Sequence, residues 1–232
     1  MSTSVSPPVE PSTGRGVLHL FCKPTPLYDA EAFVAAIRDW ESGEERQVVT
    51  VATLGHKCDV AVMAIAADLR ALRALQTAVQ RAGLEVVDSY VSLTEVSEYA
   101  AGMPEPMLQI RLYPEIPPRK IDGAAWCFYP MSKRRGDKDN WFTLPFEDRD
   151  RLMREHGASG RTFAGRVVQY ITGSTGLDDF EWGVTLFAVK PDDLKAVVYT
   201  MRFDEASALY AEFGPFYTGM ITPVEELAPS IG

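Results

Sequence analysis

From Gly16 onward the chain alternates between two hydrophobic spacings. Short apolar runs rich in β-branched residues read as strands: VLHLFCK (17–23), QVVTVAT (47–53), DVAVMAI (59–65) and LEVVDSYVSL (84–93). Two segments between them carry the helical period. Over 28–41, Phe33, Ile37 and Trp40 recur at i, i+4 and i+7 on one face. Asp68 is placed to cap the second helix, Leu69, Leu72, Leu75 and Val79 form its buried stripe, and Gly83 ends it. The turn LGHK separates the second and third strands.

The same order returns in the second half. AAWCFYPM (124–131) is a strand; Pro145 opens a helix to about Glu155, with acids in its first turn and Arg151 and Arg154 in its last. GRVVQYIT (165–172) and EWGVTLFAV (181–189) are strands, and Pro191 and Asp192 open a helix with Leu194, Val197, Val198 and Met201 on one face. FGPFYTGMI (213–221) is the last strand. Strand, helix, strand, strand, helix, strand played twice predicts an α+β fold of two ferredoxin-like βαββαβ repeats, 16–97 and 124–225. Their sheets can curl into one barrel-like core with the helices outside and a pocket between a sheet and its covering helices. Residues 98–123, rich in Pro and Gly, are expected as a connecting loop, and 1–15 as a disordered Pro/Ser tail.

Composition narrows the partners. A net charge of −9 argues against nucleic acid, so an anionic ligand would need a local cluster of Arg and Lys. No run of about 18 apolar residues predicts a membrane span. The first residues lack the basic-then-apolar order of a signal peptide, and the three scattered cysteines, Cys22, Cys58 and Cys127, fit buried thiols in a reducing compartment. A cytoplasmic protein is expected. CxxC and CxxCH are absent, so thiolate zinc sites and covalently attached haem are not expected; nor is there a GxGxxG, P-loop, GxSxG or HExxH motif.

The candidate chemistry lies in the second half. His156 follows Leu152 by four and Met153 by three, on the apolar face of its helix. By itself it reads either as a core histidine or as an axial ligand to haem iron. In WCFYPMSKRRGDKDNW (126–141), a strand delivers Tyr129 and is expected to break at Pro130, which lacks a ladder donor, so that Met131 and Lys133 turn to the same mouth. The following charged run reads mostly as solvated loop. Gln169, mid-strand among apolar residues, either finds partners for its amide or lines a cavity with a polar ligand. Arg111, Arg161, Arg202 and Ser207 are not singled out by spacing. Asp178, Asp179 and Glu181 form an acidic turn without calcium-loop spacing.

Taken in order, LGHK, RLYPEIP (111–117), CFYPMSKRR (127–135), MREHG (153–157) and ITGSTGLDDFEWGVTLF (171–187) resemble the coproheme decarboxylases, the peroxide-dependent haem synthase branch of the chlorite dismutase superfamily, over residues 16–222. The resemblance implies a dimeric α+β barrel formed within one chain, with the haem pocket in the second repeat and chains assembled as a homopentamer. It implies iron coproporphyrin III (coproheme) as substrate and redox centre, hydrogen peroxide as oxidant, and haem b as product, after oxidative decarboxylation of propionates 2 and 4 to vinyls. His156 matches the proximal iron ligand, Tyr129 the redox-active tyrosine, and Lys133 the lysine near a reacting propionate. Pro130, Met131 and Ser132 lie between them in the pattern; Arg111, Gln169 and Ser207 match substrate-contacting positions, and Arg161 and Arg202 further contacts on the anionic side. Residues 99–155 hold no distal histidine, and the Gln169 position is similar to the branch that uses glutamine there. A transient contact with the ferrochelatase that supplies coproheme belongs to the same expectation. Two alternatives share the fold: a chlorite dismutase, which prefers an arginine over the iron and needs no tyrosine–lysine pair, and a haem-binding or carrier protein that uses His156 alone.

Overall fold

In the computed structural model, which describes residues 7–231, the first half forms β1 (Gly16–Pro24), α1 (Ala30–Glu41), β2 (Gln47–Thr53), β3 (Val60–Ala66), α2 (Leu69–Arg81) and β4 (Leu84–Thr94). Each helix starts where its sequence offers an oxygen. Asp29 accepts from the Ala32 amide at 3.0 Å, and Asp68 accepts from the Arg70 amide at 2.9 Å. At the end of α2, Gly83 takes φ +84°, and a Cβ there would collide with the Leu27 carbonyl.

The second half forms β5 (Ala125–Lys133), α4 (Phe146–Arg161), β6 (Val167–Gly173), β7 (Trp182–Ala188), α5 (Pro191–Met201), α6 (Glu205–Ala208), β8 (Ala211–Phe213), β9 (Tyr217–Ile221) and α7 (Val224–Leu227). The strands run in the order β7-β6-β4-β1-β3-β2-β9-β5-β8, and β5 also pairs with β7. The sheet therefore closes on itself, which removes its exposed edges. The two repeats are joined at two seams. Val51, Ala52 and Thr53 of β2 pair with Ile221, Met220 and Gly219 of β9, and Leu93 and Thr94 of β4 pair with Gly173 and Thr172 of β6.

Strand alternation sorts the side chains into layers. Val17, Phe21, Met63, Trp126, Phe128 and Phe187 fill the barrel interior. Leu18, Leu20, Cys22, Val60 and Val62 point outward beneath α1 and α2. Cys127, Tyr129, Val184 and Leu186 point outward on the second repeat, with Leu194 and Val197 of α5.

Four expectations are corrected. Residues 98–123 are not all loop, because α3 (Glu105–Leu112) lies within them. The final strand is two, β8 and β9, separated by Gly214-Pro215-Phe216. The helix expected to end near Glu155 runs on to Arg161. Residues 1–6 of the expected tail lie outside the described residues, while residues 7–15 are held on the first repeat. There the Val9 amide donates to Asp68 at 2.9 Å, the Arg70 guanidinium to the Pro7 carbonyl at 2.8 Å, and the Arg15 amide to Thr94 at 2.7 Å.

Candidate active site

One row of β5 supplies most of the chemistry. Ala125, Cys127, Tyr129, Met131 and Lys133 occupy alternate positions and face outward, because β5 runs unbroken to Lys133. The expected break at Pro130 does not occur. Pro130 pairs in register with Gly183 of β7, and its carbonyl accepts from the Gly214 amide at 2.8 Å. A residue's carbonyl and amide lie on the same edge of a strand, so the donor Pro130 lacks would point into the gap where the partner changes from β9 to β8. The proline removes nothing the sheet needs. Continuity of the strand, rather than a turn, carries Tyr129, Met131 and Lys133 to one surface.

Tyr129 is buried at 7% exposure, stacked on Phe216 (centroids 4.4 Å) and edge-on to Phe213 (5.6 Å). Burial pushes its phenol pKa well up. Its cross-strand partner is Val184, and Val184 in turn pairs with Ile171 of β6. The neighbouring row runs from Cys127 through Leu186 to Gln169. Part of this surface is bare. Ile171 is 49% exposed, and Met131, Trp182 and Gln169 are only half-buried. The cause lies in the helices: α5 packs on β5, β6 and β7, whereas α4 packs on α5 and α6. Only Leu152 of α4 is buried.

His156 stands on α4. Its Nδ1 lies 3.2 Å from Asp204 Oδ2 and 3.4 Å from Ser207 Oγ. Asp204 is itself buried and accepts from Ser159 Oγ at 2.7 Å. Burial first, then the Lys133 charge, lowers the His156 pKa, with Asp204 opposing. The ring is thus a half-buried imidazole whose Nδ1 faces a carboxylate and whose Nε2 makes no hydrogen bond among the described residues. A carboxylate behind one ring nitrogen fixes the tautomer and raises the basicity of the other, the arrangement of a metal-ligating histidine.

Lys133 belongs to the same cluster. It is 7% exposed, its Nζ donates to the Ala206 carbonyl at 2.6 Å, and it sits 4.3 Å over the Trp141 ring. Burial pushes its pKa down to about 8, against a smaller upward pull from Glu181. Asp204, Ala206 and Ser207 are neighbours in the chain. One short segment therefore ties His156 and Lys133 to the same place.

The remaining candidates divide. Gln169 Nε2 has only Met201 Sδ, at 3.7 Å, as a partner, so its amide is largely unused and lines the bare surface. Ser132 Oγ accepts from the Glu181 amide at 3.2 Å and is turned away from the Tyr129 face. Ser207 sits beside the imidazole rather than among the residues of the sheet. Arg161 is exposed in the last turn of α4, and Arg202 is exposed after α5, stacked over Tyr199 at 4.0 Å and Phe203 at 4.9 Å. Arg111 is exposed on α3, with no side-chain hydrogen bond or ion pair among the described residues, and is not brought to this cluster.

Sequence reasoning missed Asp204, Trp141, Phe216 and the role of Glu181. The last is not part of a solvated acidic turn. It is buried, accepts from the Lys133 amide at 2.8 Å, and pairs with Arg135. No local signal marks these residues, since each gains its partner only across the fold. Among the described residues no group of three or more His, Cys, Asp or Glu side chains is placed to hold a metal ion.

A family model described as chlorite dismutase matches residues 28–222. A coproheme decarboxylase of Staphylococcus carnosus is 40% identical over 206 residues, 84% of this chain and 79% of that protein. One of Staphylococcus saprophyticus is 43% identical over 185 residues, 75% and 72% of the two chains. Among solved structures, a haem-binding protein from Thermus thermophilus superposes with a TM-score of 0.85 at 35% identity, covering 97% of this chain and 99% of that one. By sequence and by its closed barrel, the chain belongs to the chlorite dismutase family.

Proposed function

We propose that this protein is a coproheme decarboxylase. It takes iron coproporphyrin III on the bare outer face of the second repeat and, with hydrogen peroxide, oxidatively decarboxylates propionates 2 and 4 to give haem b. The observation that carries the reading is the anchoring of His156 and Lys133 to one segment, Asp204–Ser207, with Lys133 on the same row of β5 as Tyr129 and Met131. The names of the relatives at 40% and 43% identity support the same chemistry.

Bound iron porphyrin supplies the redox chemistry with peroxide. Each remaining task falls to the chain. His156 offers Nε2 to the iron, while Asp204 retains the Nδ1 proton and holds the ring. Tyr129, buried and with its phenol pKa raised, keeps its proton until it is oxidised, then gives up electron and proton together and can take a hydrogen atom from a propionate chain. Lys133 meets the carboxylate of a propionate, leaving the Ala206 carbonyl as it does so, and orients it toward Tyr129. Met131 stands between them on the same face, with Pro130 and Ser132 on the other face of the strand. Gln169 supplies an uncommitted amide across the face. Arg161 and Arg202, but not the distant Arg111, supply positive charge for four propionates entering a protein of net charge −9. No helix of the described residues is long and apolar enough to cross a membrane. Assembly as a homopentamer in the cytoplasm, with transient delivery from a ferrochelatase, completes the proposal, and sedimentation of the purified protein tests the stoichiometry.

The decisive experiment adds ferric coproporphyrin III, titrates hydrogen peroxide and follows the porphyrin by mass spectrometry. Stepwise loss of two carboxyl groups is expected. Binding without any mass change identifies a carrier instead, and oxygen release from chlorite with coproheme left intact identifies a chlorite dismutase.

A further inference from the structure

We infer that Tyr217, with Asp88 as its proton acceptor, is a second oxidisable tyrosine that drains stray oxidising equivalents from Tyr129 through the aromatic barrel interior. The inference rests on the proposed oxidation of Tyr129.

The route is continuous. Phe216 stacks on Tyr129 at 4.4 Å and is bonded to Tyr217. On the other side, Phe128 precedes Tyr129 and is the cross-strand partner of Tyr217. Phe21 stacks on Tyr217 at 3.7 Å and lies 5.5 Å from Phe128. The two tyrosines thus lie on opposite faces of one pair of strands, linked by bonded and stacked rings.

The end point is set by the proton. A tyrosine or tryptophan that loses an electron becomes strongly acidic, so the hole settles where a base waits. Trp126 Nε1 is buried with no partner. Tyr90 meets a serine hydroxyl, that of Ser174, and Tyr170 a backbone carbonyl, that of Glu115. Tyr217 alone of these four donates to a carboxylate, that of Asp88. A β-bulge aims that carboxylate. Phe21 pairs with Asp88 and Cys22 with Val86, so Val87 is the extra residue. Before the bulge, Leu84 and Val86 lie on the helix-covered layer; after it, Tyr90 lies in the barrel interior. Without the insertion Asp88 would face away from Tyr217. Asp88 is also exposed, so the proton it takes can pass to water.

The step balances. The Tyr129 radical regains one electron and takes back from the pocket the proton it had released. Tyr217 loses one electron and transfers its hydroxyl proton to Asp88. Peroxide, already the oxidant of the proposed reaction, supplies the original hole.

The test uses the full chain loaded with ferric haem b, which lacks the reacting propionates, treated with hydrogen peroxide and a nitroso spin trap, then mapped by peptide mass spectrometry. A covalent adduct on Tyr217 is expected, about tenfold weaker in Asp88→Asn and displaced to other residues in Tyr217→Phe. Coproheme conversion is measured in parallel and should persist in both variants. Conversion with no adduct on Tyr217, or an adduct indifferent to Asp88→Asn, overturns the inference while leaving the decarboxylase reading intact. No conversion and no protein radical in the unaltered protein overturns both.

Discussion

The two repeats share one topology and differ in how their outer faces are closed. In the first, α1 buries Phe33, Ile37 and Trp40, α2 buries Ala71, Leu72, Leu75 and Val79, and β3 beneath them is buried along its whole length. In the second, α4 stands where α1 stands in the first. It buries only Leu152, and it carries His156. Rather than closing on the sheet, α4 packs on α5 and α6, so Met131, Gln169 and Ile171 stay partly exposed and Tyr129 is covered by Phe213 and Phe216. A helix that brings three large apolar residues to a sheet closes on it; one that brings a single leucine leaves a slot. The same fold thus gives one half whose outer face is closed and one half whose outer face is partly open. The hydrophobic free energy forgone over the second sheet, at about 25 cal/mol per Å² of apolar surface left uncovered, is available to a flat apolar ligand instead.

That contrast can be broken at several points. The largest effect is expected from His156→Ala, which should abolish the ferric coproporphyrin spectrum of a ligated iron; an unchanged Soret band would remove the ligand assignment. Tyr129→Phe should bind coproheme normally yet yield no decarboxylated product, read by mass spectrometry after peroxide addition. Asp204→Asn should weaken iron-porphyrin affinity by roughly 10–100-fold while leaving the fold intact, since it acts through the imidazole; spectrophotometric titration decides. Lys133 gives a prediction in pH. Its pKa falls from 10.5 unfolded to about 8 folded, so between those values the unfolded chain holds more protons, and stability should rise with pH across that window. The full gain is about 3 kcal/mol. Urea denaturation at pH 7.5 and 10.5 should show it, and Lys133→Met should remove it. Coproheme affinity should move the opposite way, falling as pH passes about 8 and the ammonium that meets a propionate is lost. The smallest effect sharpens the comparison most directly. Leu20→Ala, in the closed half, should cost about 2–5 kcal/mol, whereas Ile171→Ala, on the open face, should cost less than about 0.5 kcal/mol.

Much of this was legible in the chain before folding. The alternating and helical spacings gave the βαββαβ strands and helices of both repeats, though not the short α6, α7 and β8, because each sheet buries one face toward helices and the other inside the barrel. Motif order gave the family. Pro130 shows the limit of local reasoning. A proline predicts a broken strand, yet the missing donor falls where β5 changes partner, and the strand continues. Glu181 shows the same limit: as a sequence it is one acid of three in a turn, and in the fold it is the buried partner of Lys133 and Arg135. The segment 98–123 reads as loop because α3 buries nothing and so leaves no hydrophobic period to detect.

By itself, then, the sequence determined the strands and helices of the doubled βαββαβ order, which depend on neighbours within a few positions, while the unbroken row on β5 past Pro130 came from the fold. Only the tertiary structure decided that Asp204 stands behind His156, that Lys133 rests on Ala206, and that α4 leaves its sheet uncovered. Those pairings join residues about 50 to 70 positions apart in the chain, or turn on the amount of apolar surface one helix brings to another element, and no local pattern encodes either.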